Sequence, residues 1–472
     1  MLVGINRWSI YQTHLILFLN HKKSLHLSPK YFQPMNNKTH YILLFISITV
    51  AFLSCTKTDF DEFEVASGNA DFSNYIAVGN SLTQGYQDGG LHNELGQHES
   101  SYPATLSKQF KLINPNLTYL QPTVQGNGSG YIHLKWENEE IKVIKVYDSE
   151  RNDNHPDAIK NDPSWETWGN KSLKYNNLGV SGFKLANVVG GGNTSASVNF
   201  FVSNVNPYAR FLDWGTTTNK ISYLDHIKNS NATFFTNWLG NNDVLGWSTA
   251  GGDDGYEAQF NEYFSKLTDV TEFSNKYDSV LLAFKNMGAK GVCATIPDVT
   301  SIPYFKTVTL DAIGGDVWIT EGPYSNNPGN VRKATNEDLI LLTASDELAI
   351  GNGLSQNKPL DHTFVLDEDE KAISQSRVIA YNNIIRSMAA SYGFAVADMY
   401  EFMRDLESGL VYDGVDFSPE FIAGGVFSLD GVHPNSRGYA IIANKFIDVI
   451  NQHYSSTIPQ VVVGDYRGVT LP

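Results

Sequence analysis

The sequence is poor in cysteine, in basic residues and in the motifs that hold metals or nucleotides. It has two cysteines in 472 residues, Cys55 and Cys293, and no HExxH, CxxC or Walker-type spacing. We therefore expect no metal ion, nucleotide or other cofactor. Lysine and arginine together number 34 against 50 aspartates and glutamates, and the formal net charge is -16. This balance argues against nucleic-acid binding, because phosphate contacts need clustered basic side chains.

The chain also lacks internal repeats and low-complexity tracts, and with 42% hydrophobic and 12% aromatic residues it can bury a sizeable core. Apolar runs typical of buried strands alternate with helical patterns, which predicts a parallel sheet covered by helices on both faces. The predicted strands are Tyr75–Val78, Tyr175–Gly182, Ala232–Leu239, Lys290–Pro297 and Phe394–Met399. The main predicted helices are Tyr102–Phe110, Phe183–Val189, Glu257–Met287, Ser374–Tyr392 and Ser436–Tyr454, with a helix-like stretch at Glu337–Ala349.

The amino terminus resembles that of a bacterial lipoprotein precursor. A thirteen-residue apolar run, Tyr41–Leu53, is too short to span a bilayer but suits the core of a signal peptide. It ends in Leu53-Ser54-Cys55, which resembles a lipobox, in which the cysteine is lipidated and becomes the first residue. The alternative is an ordinary secretory signal with an incidental cysteine. With Cys55 lipidated, the mature chain has no disulfide, and Cys293 is then expected to be a small buried hydrophobic side chain.

These patterns predict one elaborated domain behind a membrane anchor. We expect an outer-membrane lipoprotein of the cell envelope, held to the membrane through Cys55. The charges after Cys55 resemble the surface-export signals of some outer-membrane lipoproteins. The expected organisation is a gene-start artefact at 1–34, a lipoprotein signal peptide at 35–54, an acidic tether at 55–70, the domain at 71–456 with insertions at about 115–172 and 299–372, and a C-terminal tail at 457–472.

The first predicted insertion contains a hairpin pattern and several tryptophans. Tyr131–Trp136 and Ile141–Tyr147 alternate apolar with polar residues, as the two strands of a hairpin do. Trp136, Trp165 and Trp168 lie in the same insertion. Exposed tryptophans can stack on sugar rings, whereas buried ones would build a small core for the insertion, and the second arrangement is the commoner one.

Ser81 stands just past the carboxyl end of the first predicted strand, where open α/β sheets bind ligands. By itself it is either a nucleophile or the N-cap of the helix that follows. Polar groups end the other strands and the last loop, in the segments Asn-Leu-Gly-Val-Ser-Gly (177–182), Gly-Asn-Asn-Asp (240–243) and Asp-Gly-Val-His-Pro (430–434). All of them are expected at the same edge of the sheet.

These segments, with Gly-Asn-Ser-Leu at 79–82, resemble in order the four sequence blocks of the SGNH (GDSL-type) hydrolase superfamily, from about Asn74 to Tyr454. The resemblance implies a three-layer α/β/α, flavodoxin-like fold with a mainly parallel sheet. It implies Ser81 as nucleophile, His433 as general base and Asp430 as the carboxylate that orients it. The implied oxyanion hole comprises Ser81, Gly182 and Asn242, with Gly179 the weaker choice for the glycine.

One residue departs from the family pattern, and each assignment has an alternative. Asn80 stands where the family usually has aspartate, which leaves the charge at the helix start open. Asp430 and His433 can also be read as a helix cap and a surface histidine. His362, beside Asp361 in the second insertion, is a rival base in a less suitable place.

The residue types support ester hydrolysis independently of the resemblance. A serine hydroxyl is a weak nucleophile and needs a base within hydrogen-bond reach, which His433 can supply while Asp430 holds its other ring nitrogen. The expected substrate is an ester, and an apolar acyl ester and an acetylated glycan remain open, as does the oligomeric state. The competing interpretations are an acyltransferase with the same triad and a non-catalytic glycan-binding surface protein.

Overall fold

The computed structural model describes residues 64–92, 97–124, 127–146, 174–189, 207–213, 221–254 and 265–472. The predictions for residues 1–63, including Cys55, and for Trp165 and Trp168 lie outside these residues. The strands are β1 (Tyr75–Gly79), β2 (Tyr131–Glu137), β3 (Glu140–Val146), β4 (Phe234–Trp238), β5 (Lys290–Ala294), β6 (Trp318–Thr320), β7 (Val331–Lys333), β8 (Leu339–Ile340), β9 (Val365–Leu366), β10 (Ala395–Ala397), β11 (Leu410–Tyr412) and β12 (Val415–Phe417).

The helices connect these strands and flank them. They are α1 (Ser81–Gln84), α2 (Gln97–Ser100), α3 (Tyr102–Ile113), α4 (Tyr223–Lys228), α5 (Asn242–Thr249), α6 (Val270–Asn286), α7 (Pro303–Lys306), α8 (Leu310–Ile313), α9 (Ala344–Ala349), α10 (Glu368–Tyr392), α11 (Met399–Glu407) and α12 (Ser436–Tyr454). Short 3₁₀ turns lie at Leu185–Asn187, Pro207–Phe211, Val299–Ser301, His362–Phe364 and Val463–Asp465. Among the helices of the described ranges, none is long and apolar enough to cross a membrane.

A parallel sheet with the strand order β1-β4-β5-β10 lies at the centre of the fold. The second predicted strand is present only as one parallel bridge, between Ala77 and Asn177 on the free edge of β1. Ala77 donates to the Asn176 carbonyl at 2.8 Å, and the Leu178 amide donates back to Ala77 at 2.8 Å. The Asn177 side chain accepts from the Gly179 amide at 2.8 Å, a local turn that competes with a longer ladder. Counting this segment, the strand order is the flavodoxin-like 2-1-3-4-5.

Helices cover both faces of the sheet and make three layers. Alternate residues of each strand enter opposite cores, as the two-residue period requires. On one face, Ile76 and Phe235 pack with α6 and α10. On the other, Tyr75 and Phe234 pack with α3 and α12. The predicted α/β/α architecture is confirmed.

Several predicted helix boundaries are wrong, and side-chain caps explain two of them. The helix predicted as one element from Glu257 is interrupted at residues 266–269, and α6 begins at Val270, where the Asp269 carboxylate accepts from the amides of Thr271 and Glu272; residues 255–264 lie outside the described ranges. The helix predicted from Ser374 begins at Glu368, because Asp367 and Glu370 form a reciprocal capping box.

Two further predictions of helix are corrected. The helix predicted at Phe183–Val189 is only the 3₁₀ turn Leu185–Asn187. Its first amides, Leu185 and Ala186, donate to the buried Asp243 carboxylate, so this segment is held to α5 rather than continued as a helix. The helix-like stretch Glu337–Ala349 divides into β8 and α9.

The hairpin of the first insertion is confirmed, since β2 and β3 pair antiparallel along seven residues each. Trp136 pairs with Ile141, and its side chain is 58% exposed. It therefore does not build a core for the insertion, contrary to the commoner arrangement expected from the sequence.

The second insertion has a small core of its own, around Val317, Ile319 and Leu360. Arg332 is bonded in it to two carboxylates, bidentately to Asp338 at 2.6 and 2.8 Å and to Glu321 at 2.8 Å. Both carboxylate side chains are buried, so this network ties β7 to the neighbouring loops.

The first and last segments of the described domain are hydrogen-bonded to each other. The Asn69 amide donates to the Tyr454 carbonyl at 2.7 Å, and Thr457 donates to Ala66 at 2.9 Å. The tail runs on along α12, where Asn444 accepts from the Val461 amide at 2.8 Å. Residues 66–70 and the start of the tail thus pack against the domain.

Candidate active site

Ser81 is the first residue of α1, directly after β1. The N-cap of this helix is Asn80, whose side-chain oxygen accepts from the Leu82 amide at 3.2 Å. The interpretation of Ser81 as the cap is therefore wrong. Because an amide oxygen makes the cap, the helix start needs no aspartate at position 80. The Ser81 hydroxyl is left to a different partner.

That partner is His433, 352 residues further along the chain. A hydrogen bond of 2.8 Å joins Ser81 Oγ to His433 Nε2. His433 Nδ1 is 2.9 Å from Asp430 Oδ2. With Nδ1–H donating to the carboxylate, Nε2 is the nitrogen that accepts the serine proton. All three predicted residues thus form one hydrogen-bonded chain.

Asp430 is held by five hydrogen bonds, which keep it ionised. Its Oδ1 accepts from the Ser428 hydroxyl at 3.0 Å and from the amides of Val432 and His433 at 2.9 and 2.8 Å. Its Oδ2 accepts from the Gly89 amide at 3.0 Å as well as from His433. Burial raises the pKa of this carboxyl, but the charge of His433 and these donors outweigh burial and lower the pKa to about 2. The carboxylate can therefore stabilise an imidazolium.

Asn242, the first residue of α5, is hydrogen-bonded to the loop that carries Gly182. Asn242 begins α5 and lines the small cavity of about 40 Å³ that also contains Ser81 and His433. Its side-chain amide donates to the Phe183 carbonyl at 3.1 Å, next to Gly182. Gly182 has φ +75°, a conformation that favours glycine at this turn. Gly182 does not line that cavity.

The loop that carries Gly182 is also fastened to the helix that carries Ser81. Gln84 Oε1 accepts from the amide of Ser181 at 2.8 Å and from its hydroxyl at 2.6 Å. Asn177 donates to the Thr83 carbonyl at 2.8 Å. These contacts hold the predicted oxyanion residues at a constant position relative to Ser81. Gly179 instead contacts Gln84 closely, since a Cβ there would lie 2.5 Å from the Gln84 amide nitrogen.

A second, apolar cavity of about 80 Å³ adjoins the one at Ser81. The two share four wall residues, Leu82, Pro297, Ile302 and Val432. The remaining walls come from β4, α11, α12 and the loop on either side of His433, and they are Trp238, Met399, Phe402, Met403, Leu406, Val426, Phe427, Pro434, Gly438, Ile441 and Ile442. The two cavities therefore lie side by side, and the lining of the second is almost entirely apolar.

Other candidates from the sequence lie apart from this chain of hydrogen bonds. His362 lies in a 3₁₀ turn of the second insertion, where Asp361 accepts from Thr363. Cys293 is buried in β5, and burial raises the pKa of its thiol to about 12, so it is no nucleophile at neutral pH. Within the described ranges, no group of His, Cys, Asp and Glu side chains could hold a metal ion.

Sequence reasoning missed the residues, remote in the chain, that contact Asp430 and His433. Gly89 donates to its carboxylate, and Tyr86 packs its ring against His433 with 4.6 Å between ring centroids. The available signal was the Asp-Gly pair at 88–89, which is typical of a two-residue hairpin turn.

Comparison with known proteins shows which family the chain belongs to. The model of the GDSL-like lipase/acylhydrolase family matches residues 75–446. The chain belongs to this family. The matched residues include Ser81, Asp430 and His433, and membership identifies the protein as a hydrolase that acts on esters.

Two solved structures are similar at low sequence identity. One is LAE5, an alpha/beta hydrolase enzyme from the metagenome of Lake Arreo, Spain, with 14% identity, coverage of 81% of this chain and 96% of that chain, and a TM-score of 0.34. The other is a mutant of Axe2, an acetyl-xylooligosaccharide esterase from Geobacillus Stearmophilus, with 11% identity, the same coverages and a TM-score of 0.33. No curated protein matches the chain.

Proposed function

We propose that the protein cleaves carboxylic esters through an acyl-enzyme on Ser81. The observation that carries this proposal is the hydrogen-bonded chain from Ser81 through His433 to Asp430. As Ser81 Oγ attacks the ester carbon, its proton passes to His433 Nε2 and then to the leaving alkoxide. Water, deprotonated by His433, attacks the acyl carbon, and the proton returns to Ser81 as the acid leaves. Asp430 keeps the tautomer and stabilises the imidazolium.

The negative charge that develops on the carbonyl oxygen during attack needs hydrogen-bond donors close to Ser81. We propose the amides of Ser81 and Gly182 and the side-chain amide of Asn242 as these donors. Asn242 has a second N–H besides the one it gives to Phe183. Removal of one such donor typically lowers turnover by a factor of ~10²–10³, so Asn242→Ala tests this part of the site.

For the substrate we propose esters of short apolar acyl groups. The apolar cavity of about 80 Å³ beside Ser81 supports this proposal. A dry cavity of roughly 150 Å³ is enough for benzene, so this one suits a chain of a few carbons. An acetyl group would leave the cavity empty, which disfavours acetylated glycans as the preferred substrates.

The test is hydrolysis of p-nitrophenyl esters from acetate to octanoate. We expect kcat/KM to rise from acetate to butyrate or hexanoate, because each buried CH₂ contributes about 0.8 kcal/mol, roughly fourfold. Met403→Phe, at the wall remote from Ser81, should reduce the advantage of hexanoate over acetate. Ser81→Ala, with its fold checked by circular dichroism, should lower kcat by ~10⁴–10⁶.

Other results would point to the competing functions. Undiminished turnover by Ser81→Ala would overturn the nucleophile. A preference for acetylated polysaccharide over every p-nitrophenyl ester would identify a carbohydrate esterase. Faster product formation when a sugar acceptor is added would identify an acyltransferase, and binding of glycans without turnover would identify a non-catalytic surface protein.

We also propose that the mature protein is a lipoprotein of the outer membrane, anchored through Cys55. The support is the lipobox-like Leu53-Ser54-Cys55 after an apolar run of signal-peptide length. Globomycin should block its processing in cells. Processing that is insensitive to globomycin, with release of an unlipidated mature chain, would contradict the anchor.

A further inference from the structure

We infer that the turn Gln87–Gly90 is a positioning element of the catalytic triad, and that the Asp88 carboxylate is the side chain through which it acts. The inference rests on the proposed function of Ser81. The turn is a two-residue hairpin turn, because Gln87 and Gly90 exchange both backbone hydrogen bonds at 3.1 Å. Asp88 and Gly89 have φ +54° and +75°, as a type I′ turn requires.

The turn is hydrogen-bonded to three consecutive residues of the loop that carries Asp430. The Asp88 amide donates to Ser428 Oγ at 2.9 Å, and Asp88 Oδ1 accepts from the Leu429 amide at 3.0 Å. The Gly89 amide donates to Asp430 Oδ2 at 3.0 Å. The Ser428 hydroxyl in turn donates a hydrogen bond to Asp430 Oδ1 at 3.0 Å. The orientation of the triad carboxylate is therefore set from residues about 340 positions earlier in the chain.

The residue directly before the turn, Tyr86, contacts the general base. The Tyr86 ring lies against the His433 imidazole, with centroids 4.6 Å apart, and the Tyr86 hydroxyl donates to the Gly89 carbonyl at 2.6 Å. Tyr439, on α12, donates to the Tyr86 carbonyl at 2.7 Å. One short segment thus fixes both the carboxylate and the ring that it orients.

Asp88 adopts a conformation that only a few residue types tolerate. A non-glycine residue at φ +54° is uncommon, and aspartate and asparagine are the types that accept it most readily. Local strain of this kind persists where the surroundings over-determine it, as the three contacts to residues 428–430 do here. Asparagine can keep both the conformation and the acceptor oxygen, whereas glycine keeps only the conformation.

The Asp88 carboxyl also interacts electrostatically with Asp430 and His433. Burial raises the pKa of this carboxyl to about 7, with the Leu429 amide and His433 lowering it and Asp430 raising it. The titratable groups that face it are Asp430 and His433, Tyr86 and Tyr439, His92 at 4.0 Å, and, around a cavity of about 250 Å³, Tyr131, His133 and Arg467.

The experiment compares Asp88→Gly with Asp88→Asn in the full chain, using p-nitrophenyl butyrate at pH 6, with kcat, KM and the melting temperature of each. In Asp88→Gly we expect kcat to fall by about 10- to 100-fold, as small misplacements of catalytic groups do, while KM stays within about twofold. Asp88→Asn, which keeps the acceptor for Leu429, should retain kcat within about threefold. This rescue separates positioning from general loss of packing.

A matched control is available in another Asp-Gly hairpin turn, Tyr412–Val415, which contains Asp413 and Gly414. Asp413→Gly removes a carboxylate that also accepts a backbone amide, from Val463 at 2.8 Å, and should leave kcat within about twofold. The inference is overturned if Asp88→Gly keeps kcat within twofold of wild type, or if Asp88→Asn is as impaired as Asp88→Gly. A wild-type protein that hydrolyses no ester would instead overturn the proposed function, and the inference with it.

Discussion

The turns Gln87–Gly90 and Tyr412–Val415 have the same local chemistry in two different surroundings. Both place Asp-Gly at the centre, with φ +54° and +75° in the first and +53° and +77° in the second. In both, the aspartate accepts a backbone amide from a remote segment, Leu429 for one and Val463 for the other.

The two turns differ in the residues that they contact. The first turn donates to Asp430 through the Gly89 amide, and Tyr86, the residue before it, packs against His433, whereas the second turn joins β11 to β12 and is exposed. A Cβ on Gly89 would lie 3.0 Å from Ile132 Cδ1, and a Cβ on Gly414 would meet nothing within 4 Å. Identical turn geometry therefore supports catalysis in one place and only chain reversal in the other, because function depends on what the turn contacts.

The largest expected difference between the turns comes from their glycines. Gly89→Ala and Gly414→Ala both place a Cβ at positive φ and should each cost about 1–2 kcal/mol of stability. Gly89→Ala must in addition displace Ile132 or the turn, which moves the amide that Asp430 accepts, so kcat should fall by about tenfold or more. Gly414→Ala should change kcat by less than twofold. Equal kcat in the two variants would contradict the comparison.

A smaller difference is expected in pH dependence. The pKa of Asp88 is raised to about 7, so the side chain is mostly neutral at pH 6 and gains its negative charge by pH 8. That charge favours the imidazolium formed at His433 in the transition state. The ratio of kcat/KM between wild type and Asp88→Asn should thus rise several-fold from pH 6 to pH 8. The same ratio for Asp413→Asn should stay constant, and a flat ratio for Asp88→Asn would exclude the charge effect.

The smallest effect is expected from Tyr86→Phe. The variant keeps the ring against His433 but loses the hydrogen bond to the Gly89 carbonyl, which contributes about 1 kcal/mol. We expect a decrease in kcat of about two- to fivefold. The control is Tyr412→Phe, at the residue before Asp413-Gly414, which should leave kcat unchanged. A larger loss in Tyr412→Phe than in Tyr86→Phe would show that the two turns are not distinguished in this way.

Prediction from sequence succeeded where a feature is local. The five segments of the sheet and the hairpin β2–β3 follow from apolar runs and period-two alternation, which short stretches of chain carry by themselves. The helix starts were predicted less well, because the N-caps Asp269 and Asp367 decide where two of the helices begin and apolar periodicity carries no information on a cap. The second strand was over-predicted, since Asn177 bonds to Gly179 within its own segment.

Ser81, Asp430 and His433 were predicted from their positions after strands and before α12, and the structure brings them within hydrogen-bond distance. Parallel strands end at one edge, so residues at those ends are brought together by the topology alone. The exposure of Trp136 followed no such rule, because a hairpin pattern does not say which face is covered.

The sequence by itself determined the family, the architecture and the three residues of the candidate triad. Each of these depends on short local segments and on their order along the chain, which the sequence shows directly. Only the tertiary structure decided which of two equal Asp-Gly turns supports Asp430, and which cavity adjoins Ser81. The Gly89 amide and the Asp430 carboxylate are 341 residues apart in the chain. A contact of that separation depends on the tertiary fold, which brings the two segments to the same edge of the sheet.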